Sequence, residues 1–291
     1  MKIEVLQPSG YCIGVSNAIK TALKAKEINK NKKISILGML VHNEETLEYL
    51  KKHSINTIYS QDNNLESLID DINENDEIIL SAHGHSQQIE NKLNEKGIKY
   101  IDATCPFVKI AFENIKKIIE KGHQVIYIGK KNHPEANAAL SISKNIFLYE
   151  LNKENDLSVI KDEAPIVLSQ TTFLLDDVLN AFEIIKSTFP NAIFEGGICK
   201  SSLERQNALL KIKEKPDVIY IIGSKKSNNT KSLFNLANKL FSDSIIRHIE
   251  NEKDVHESDL KDSQYIVISS GASTPDYIID SVIKKVKELA N

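Results

Sequence analysis

The chain has 291 residues, of which 41% are hydrophobic and 26% charged, and its formal net charge is −3. This composition is typical of globular domains and excludes collagen, coiled coils and disordered chains, while the charge balance lacks the basic excess of nucleic-acid-binding proteins. Apolar runs are strand-sized and no secretion signal opens the chain, so we expect a cytoplasmic protein without a nucleic-acid or membrane partner.

Apolar strands and amphipathic helices alternate along the chain in an order that repeats three times. Each repeat has a short strand, a cysteine, a helix, and then an apolar strand closed by glycine and followed by a polar loop. The glycine-closed strands are Ile34–Gly38, Val125–Gly129 and Val218–Gly223. A later strand of each repeat ends in serine: Ile78–Ser81, Ile166–Ser169 and Ile266–Ser269. Apolar strands alternating with helices predict parallel α/β sheets.

The three cysteines have nearly equal spacing. Cys12, Cys105 and Cys199 lie 93 and 94 residues apart, and 92 residues follow the last of them. A period of this kind indicates repeated structural units. We therefore predict three α/β units, residues 1–104, 105–198 and 199–291, arranged as a trefoil with approximate threefold symmetry.

Each cysteine occupies a strand-to-helix turn, the place where ligands gather in parallel sheets. A single cysteine is more often a small buried hydrophobic residue, but three at matched positions favour a metal centre. Zinc would need a histidine as its fourth ligand. A [4Fe–4S] cluster on three thiolates would leave one iron without a protein ligand. Because closely spaced cysteine pairs, typical of structural zinc sites, are missing from the sequence, we favour the cluster.

Six polar loops, two from each repeat, are expected to meet at the same axis. They carry mainly neutral hydrogen-bond donors, which suit a phosphate or diphosphate. Glu135 is the one carboxylate in these motifs, and a lone carboxylate beside a metal centre is typical of a general acid. The alternative is that Glu135 only stabilises the start of a helix near Pro134. The main donors are His42, His83, His133, Thr171, Thr172, Ser227, Asn228, Asn229 and Ser273.

Together these motifs resemble the 4-hydroxy-3-methylbut-2-enyl diphosphate reductase family (IspH or LytB). The matching segments follow the family's order over nearly the whole chain: Tyr11–Val15, Val41–Asn43, Ser81–Gly84, Asp102–Pro106, His133–Glu135, Gln170–Thr172, Gly223–Lys225 with Ser227 and Asn229, and Gly271–Ser273 followed by Pro275 and Asp276.

The resemblance implies a trefoil around a [4Fe–4S] cluster held by Cys12, Cys105 and Cys199, with one iron left for the substrate. Glu135 would deliver protons, with Thr171 or Thr172 in the relay. The remaining loop residues would hold the diphosphate: His42, His83, His133, Thr172, Ser227, Asn228, Asn229 and Ser273.

The implied reaction is the last step of the non-mevalonate (MEP) isoprenoid pathway. It converts 4-hydroxy-3-methylbut-2-enyl diphosphate to isopentenyl and dimethylallyl diphosphate by a two-electron, two-proton reductive dehydroxylation. The implied partners are the allylic diphosphate substrate and a ferredoxin or flavodoxin as electron donor.

The sequence departs from the family pattern at several loop positions. Gly197 replaces a threonine, Ala138 a glycine and Asn228 a serine. These changes motivate an alternative, a diverged iron–sulfur binding or redox-sensing protein of the same fold. Quinolinate synthase, another trefoil with one cluster cysteine in each unit, is a second alternative, but it would not be expected to show the His133–Glu135 and Gln170–Thr172 motifs. A zinc protein using the three cysteines and one histidine is the third.

Overall fold

The computed structural model describes residues 1–59 and 65–289 and contains, within them, three four-stranded sheets. All strand pairs in these sheets are parallel. The predicted α/β trefoil of three related units is confirmed.

The first sheet has the strand order β3-β2-β4-β5. The elements from the N-terminus to the end of this unit are β1 (Lys2–Val5), α1 (Ile13–Ile28), β2 (Ile34–Leu37), α2 (Glu44–Lys52), β3 (Ile55–Ile58), α3 (Leu65–Leu68), a 3-10 turn (Ile69–Asp71), β4 (Glu77–Leu80), α4 (Gln87–Glu95) and β5 (Lys99–Asp102).

The second sheet repeats this order as β7-β6-β8-β9. Its unit contains α5 (Pro106–Glu120), β6 (Val125–Ile128), α6 (Pro134–Leu140), β7 (Ile146–Tyr149), a 3-10 turn (Leu157–Val159), β8 (Ile166–Ser169), α7 (Leu175–Thr188) and β9 (Ile193–Phe194).

The third sheet has the order β11-β10-β12-β1. Its remaining elements are α8 (Lys200–Leu210), β10 (Val218–Ile222), α9 (Asn228–Leu240), β11 (Ile245–Ile249), a 3-10 turn (Glu252–Asp254), α10 (Glu257–Leu260), β12 (Tyr265–Ser270) and α11 (Asp276–Leu289).

One strand crosses the boundaries expected from the sequence. The division into residues 1–104, 105–198 and 199–291 places β1 in the first unit, whereas β1 pairs with β12 of the third sheet. The reason is that the strand before each cysteine completes the preceding unit's sheet, as β5 and β9 also do. For Cys12 the preceding unit is the third one, so the N-terminal strand closes the ring.

Equivalent hydrogen bonds join the units around this ring. The backbone N–H of each cysteine donates to a carbonyl in the loop that follows β4, β8 or β12 of the preceding unit. The N–O distances are 3.0 Å from Cys105 to Ala82, 3.0 Å from Cys199 to Thr171, and 2.9 Å from Cys12 to Ala272. Three strand-end loops thus fix the three cysteines by the same contact.

The core consists of apolar clusters on both faces of every sheet. The central strands are buried throughout, which explains their continuous apolar runs. Among the residues that the structure describes, no helix is both long and apolar enough to span a membrane.

Candidate active site

A single cavity between the three units collects every residue singled out from the sequence as a cysteine ligand, a proton donor or a diphosphate ligand. The loops after the strands of all three sheets form its wall. These residues are Cys12, Cys105, Cys199, Glu135, Thr171, Thr172, His42, His83, His133, Ser227, Asn228, Asn229 and Ser273.

The three cysteines are the N-cap residues of α1, α5 and α8. The thiol of Cys12 accepts a hydrogen bond from the Val15 N–H at 3.5 Å, and that of Cys199 accepts one from the Ser202 N–H at 3.4 Å. A helix N-terminus stabilises negative charge, so these positions favour thiolates once a cation is present.

The electrostatics of the thiols call for such a cation. Burial raises the pKa values of Cys105 and Cys199 above the ordinary value, and the neighbouring cysteines raise them further. Three thiolates in one buried place repel one another, and metal cations remove this repulsion while binding the thiolates directly. The donor set therefore fits a thiolate-ligated metal group.

Gly14 leaves room beside these thiols. A Cβ atom placed on Gly14 would lie 2.5 Å from the sulfur of Cys105 and 3.8 Å from that of Cys12. Contacts below 3.0 Å essentially never occur for real Cβ atoms. The glycine thus allows the first turn of α1 to approach the second cysteine.

The three thiols line one cavity. Within residues 1–59 and 65–289, however, no group of three or more His, Cys, Asp or Glu side chains is arranged to hold one metal ion.

Glu135 is buried in the first turn of α6, with 3% of its surface exposed. Its Oε1 accepts hydrogen bonds from the Thr171 N–H at 2.8 Å and the Tyr127 hydroxyl at 3.2 Å. Its Oε2 accepts one from the Thr171 hydroxyl at 2.8 Å. Burial raises the pKa of Glu135 to about 6, although these hydrogen bonds lower it. The carboxyl is thus fixed in place and partly protonated near neutral pH, as a proton donor needs.

Three histidine rings pack against one another in the same cavity as this acid. The ring centroid of His42 lies 4.3 Å from that of His83 and 5.2 Å from that of His133. Burial lowers the pKa of His42 to about 4, assisted by nearby lysine charges, and lowers that of His133 to about 3. The pKa of His83 is lowered in the same direction for the same main reason. All three rings are therefore neutral at pH 7.

The tautomer of His133 follows from its position as the N-cap of α6. Its Nδ1 accepts a hydrogen bond from the Glu135 N–H at 3.2 Å. In the neutral ring the proton must then be on Nε2, which makes this atom a donor. The same turn of helix thus positions the acid and an imidazole whose Nε2–H is a hydrogen-bond donor.

The third unit contributes hydroxyl and amide groups, some of which already form hydrogen bonds within the protein. Asn229 is occupied by the protein, because its amide bonds to the Ala272 N–H and to the Ser202 hydroxyl, both at 2.9 Å. The Ser227 hydroxyl caps α9 by accepting from the Thr230 N–H at 3.3 Å. The Asn228 Nδ2, in contrast, is buried and has no hydrogen-bond partner in the part of the chain that the structure describes.

Unpaired polar atoms in the wall indicate a ligand. His42 Nε2, His83 Nδ1 and Asn228 Nδ2 are buried with no hydrogen-bond partner among the described residues. An unsatisfied buried donor or acceptor costs about 1–3 kcal/mol. A polar molecule with several acceptor oxygens would satisfy such groups, which is the chemistry of a phosphate-bearing substrate.

Three residues of the site were missed by sequence reasoning. Tyr127 lies in the apolar strand β6, where a tyrosine is indistinguishable from a core residue. The Ser202 hydroxyl accepts hydrogen bonds from the Cys199 thiol at 3.3 Å and from the Asn229 amide at 2.9 Å. In the sequence, these contacts are indicated only by its position three residues after a capping cysteine. Gly14 follows Cys12 by two residues, but a single glycine in a helical pattern does not reveal what it packs against.

The fold and the site define a class of protein, an α/β trefoil built around a thiol-lined pocket that also holds a buried acid. The LytB protein family matches residues 3–287 of the sequence. The chain belongs to this family.

Relatives of known name agree with this placement. A 4-hydroxy-3-methylbut-2-enyl diphosphate reductase from a Thermoanaerobacter species is 32% identical over 289 residues, which cover 99% of this chain and 98% of that protein. The enzyme of the same name from Malacoplasma penetrans is 34% identical over 291 residues, which cover 97% and 96% of the two chains.

Solved structures show the same architecture. The E-1-hydroxy-2-methyl-but-2-enyl-4-diphosphate reductase of Plasmodium falciparum has a TM-score of 0.86 and 27% identity, covering 100% of this chain and 88% of that one. A second structure, described as that of (E)-4-hydroxy-3-methyl-but-2-enyl diphosphate reductase, the terminal enzyme of the non-mevalonate pathway, has a TM-score of 0.70 and 28% identity, covering 99% and 100%.

Proposed function

We propose that this chain is an iron–sulfur oxidoreductase that reduces 4-hydroxy-3-methylbut-2-enyl diphosphate to isopentenyl and dimethylallyl diphosphate. The observation that carries the proposal is the meeting, in one cavity, of three cysteine thiols with the hydrogen-bonded pair of Glu135 and Thr171. In the balanced reaction the substrate's C–O bond breaks, two electrons and two protons are consumed, and water leaves.

Cys12, Cys105 and Cys199 would hold a [4Fe–4S] cluster with one iron lacking a protein ligand. When bound, this group would relay electrons from an external donor and supply a Lewis-acidic iron at the end of the cavity that the thiols occupy. The three α/β units, with boundaries near residues 104 and 198, would each contribute one ligand. β1 would belong to the third unit in spite of its place in the chain.

Glu135 would be the proton source. Its pKa of about 6 keeps part of the population protonated near neutral pH, and burial keeps bulk water from taking the proton elsewhere. The Thr171 hydroxyl bonds directly to the carboxyl and also lines the cavity, so it can pass a proton from Glu135 to the substrate. Thr172 is the next residue of the same loop and would complete the relay or bind the substrate.

The diphosphate would lie among His42, His83 and His133 and the donors of the third unit. Burial lowers the pKa values of these imidazoles, and an adjoining anion would raise them and favour protonation. The unpaired amide of Asn228 would donate directly to a phosphate oxygen. Thr172, Ser227, Asn229 and Ser273 would complete the cradle, with Ser227 and Asn229 exchanging some of their present protein contacts for contacts with the anion.

The electrons must come from outside the chain, and we propose a ferredoxin or flavodoxin as the donor. Both are small carriers that deliver single electrons, so two successive deliveries would complete one turnover. A reduced viologen dye can replace them in an assay.

The experiment that tests this assignment separates the acid from the metal ligands. Glu135→Gln, reconstituted with iron and sulfide under anaerobic conditions, should contain as much iron as the unchanged protein, because the substitution leaves the thiols intact. Its turnover should fall about 100-fold or more, since general acids contribute roughly that much. Cys105→Ser, prepared in parallel, should lose the iron instead. Near-normal turnover of Glu135→Gln would remove Glu135 from the mechanism.

A further inference from the structure

A second cavity adjoins the candidate active site on its outer side. It has a volume of about 450 Å³. His42, His133 and Asn228 line both this outer cavity and the inner one. The two cavities therefore share side chains that the proposed function assigns to diphosphate binding.

The outer cavity is strongly basic, although the chain as a whole carries a net charge of −3. Four lysines line it, namely Lys130, Lys131, Lys226 and Lys231, and no acidic side chain of the described residues is part of the lining. A concentration of one sign of charge in a cleft attracts ions of the opposite sign and raises their rate of association. An anion is the ligand that this cavity fits.

Three of the four lysines form no salt bridge with the described residues, but the charge of Lys131 acts on the nearby Glu150 carboxylate and lowers its pKa. Lys226 forms a salt bridge with Glu44 at 2.6 Å, whereas Lys130 and Lys231 form none with the part of the chain that is described. Lys130 belongs to the second unit and Lys231 to the third. Partial burial of the Lys231 ammonium and the charge of Lys130 lower its pKa. The two cations thus act on each other across a space between units.

The wall shared by the two cavities contains the same unpaired atoms as the inner pocket. His42 Nε2 and Asn228 Nδ2 are buried in it and have no hydrogen-bond partner among the residues that the structure describes. The lysines also act electrostatically on this wall, because Lys130, Lys226 and Lys231 all contribute to the lowered pKa of His42. An anion between the lysines and the wall would compensate both the unpaired donors and the unpaired charges.

We propose that this cavity is an outer binding site for a diphosphate group, in which Lys130 and Lys231 hold the anion before it passes the shared wall into the inner pocket. The inference rests on the proposed function for the identity of the substrate. A diphosphate has two phosphoryl groups, so it can contact lysines of two units at once, whereas a single phosphate reaches fewer of these charges.

The test uses the doubly substituted protein Lys130→Gln/Lys231→Gln, reconstituted with its iron and sulfide. Titration with inorganic pyrophosphate, followed through the rise in melting temperature, should give a midpoint about tenfold higher than for the unchanged protein. The KM for the allylic diphosphate should rise about tenfold, while kcat stays within about twofold, because neither lysine touches the reacting end. Added salt should raise the KM of the unchanged protein more than that of the variant.

Lys211→Gln/Lys213→Gln is the matched control. It removes the same two charges from exposed residues at and just after the far end of α8, a helix about 16 Å long that begins after Cys199. This variant should bind pyrophosphate and substrate as the unchanged protein does. Equal losses in the control and the double variant would show an effect of net charge only and would overturn the proposal.

Further outcomes discriminate between the possible sites. An unchanged pyrophosphate midpoint in the double variant would confine the anion to the inner pocket and would overturn the outer site. A fall in kcat at unchanged KM would place the lysines in the chemistry instead. Equal affinity for inorganic phosphate and pyrophosphate would refute the diphosphate bridge. Because pyrophosphate binding is read from melting, failure of the proposed reductase activity would be seen separately, as absence of turnover in the unchanged protein.

Discussion

Removal of a single hydroxyl, in Tyr127→Phe, should change the pH dependence of turnover without removing any group that touches the substrate. Tyr127 is buried, and its hydroxyl donates to Glu135 Oε1 at 3.2 Å. This bond stabilises the carboxylate and lowers the pKa of Glu135, which burial raises. Without it, the carboxylate keeps only the two contacts from Thr171.

The size of the change follows from the strength of the lost bond. A hydrogen bond to a charged group contributes about 1.5–3 kcal/mol, part of which the neutral acid retains, and one pKa unit corresponds to about 1.4 kcal/mol. The pKa of Glu135 should therefore rise by about one unit from its value of about 6. In the proposed role of Glu135 the protonated form is the donor, so kcat should fall as pH rises through this pKa. The substitution should move that fall to higher pH.

The assay is the pH profile of kcat, measured with a reduced dye as electron donor between about pH 5 and 9. Tyr220→Phe is a matched control, because Tyr220 lies in β10, the counterpart of β6, is also buried, and does not line the central cavity. Tyr220→Phe should keep the profile of the unchanged protein. A Tyr127→Phe profile that stays in place, or moves to lower pH, would refute the argument that Tyr127 tunes the acid.

Two further substitutions test a close contact beside the thiols and a buried arginine. Gly14→Ala should lose most of its iron, because the added Cβ would lie 2.5 Å from the sulfur of Cys105. Asn17→Ala, on the exposed side of the same helix, should bind its full complement of iron, and full iron content in Gly14→Ala would contradict the steric argument. Arg205→Leu should lower the free energy of unfolding by about 2–5 kcal/mol, because the buried guanidinium donates to the carbonyls of Gly10 at 2.6 Å and Ser270 at 3.2 Å, which would be left unsatisfied. Thermal unfolding measures this loss, and a change within about 0.5 kcal/mol would show that water replaces the arginine.

The threefold repeat could be predicted from the sequence because each structural unit has one cysteine at an equivalent position. Strand-to-helix turns recur at Cys12, Cys105 and Cys199, and the structure caps a helix with each of them. The pairing of β1 with the third sheet could not be predicted from the sequence. Its pattern is that of any half-buried strand, and its partner β12 lies at the other end of the chain.

The sequence motif around Glu135 predicts its secondary structure but not the contacts of its carboxyl group. The order His133, Pro134, Glu135 predicts a helix start, and α6 does begin at Pro134. The same residue, however, also turns its carboxyl to Thr171 and Tyr127, so it is more than a residue that stabilises a helix end. The contact with Thr171 joins loops 36 residues apart, and only the packed sheet brings them together.

Which loop residues already form hydrogen bonds within the protein could not be predicted either. Asn228 and Asn229 are adjacent amides in one motif, yet the first has an unpaired nitrogen and the second bonds to two neighbours. The difference arises from the helix start at α9, which directs successive side chains to different sides. Residue type indicates a hydrogen-bonding capacity, but the backbone decides whether the protein itself uses it.

The most direct test of the central claim is anaerobic turnover of the reconstituted protein with a reduced viologen dye and 4-hydroxy-3-methylbut-2-enyl diphosphate. The proposed function predicts substrate-dependent oxidation of the dye, two one-electron equivalents for each substrate consumed, with isopentenyl and dimethylallyl diphosphate as products. A protein that is fully loaded with iron and sulfide but leaves the dye reduced in the presence of this substrate would contradict it.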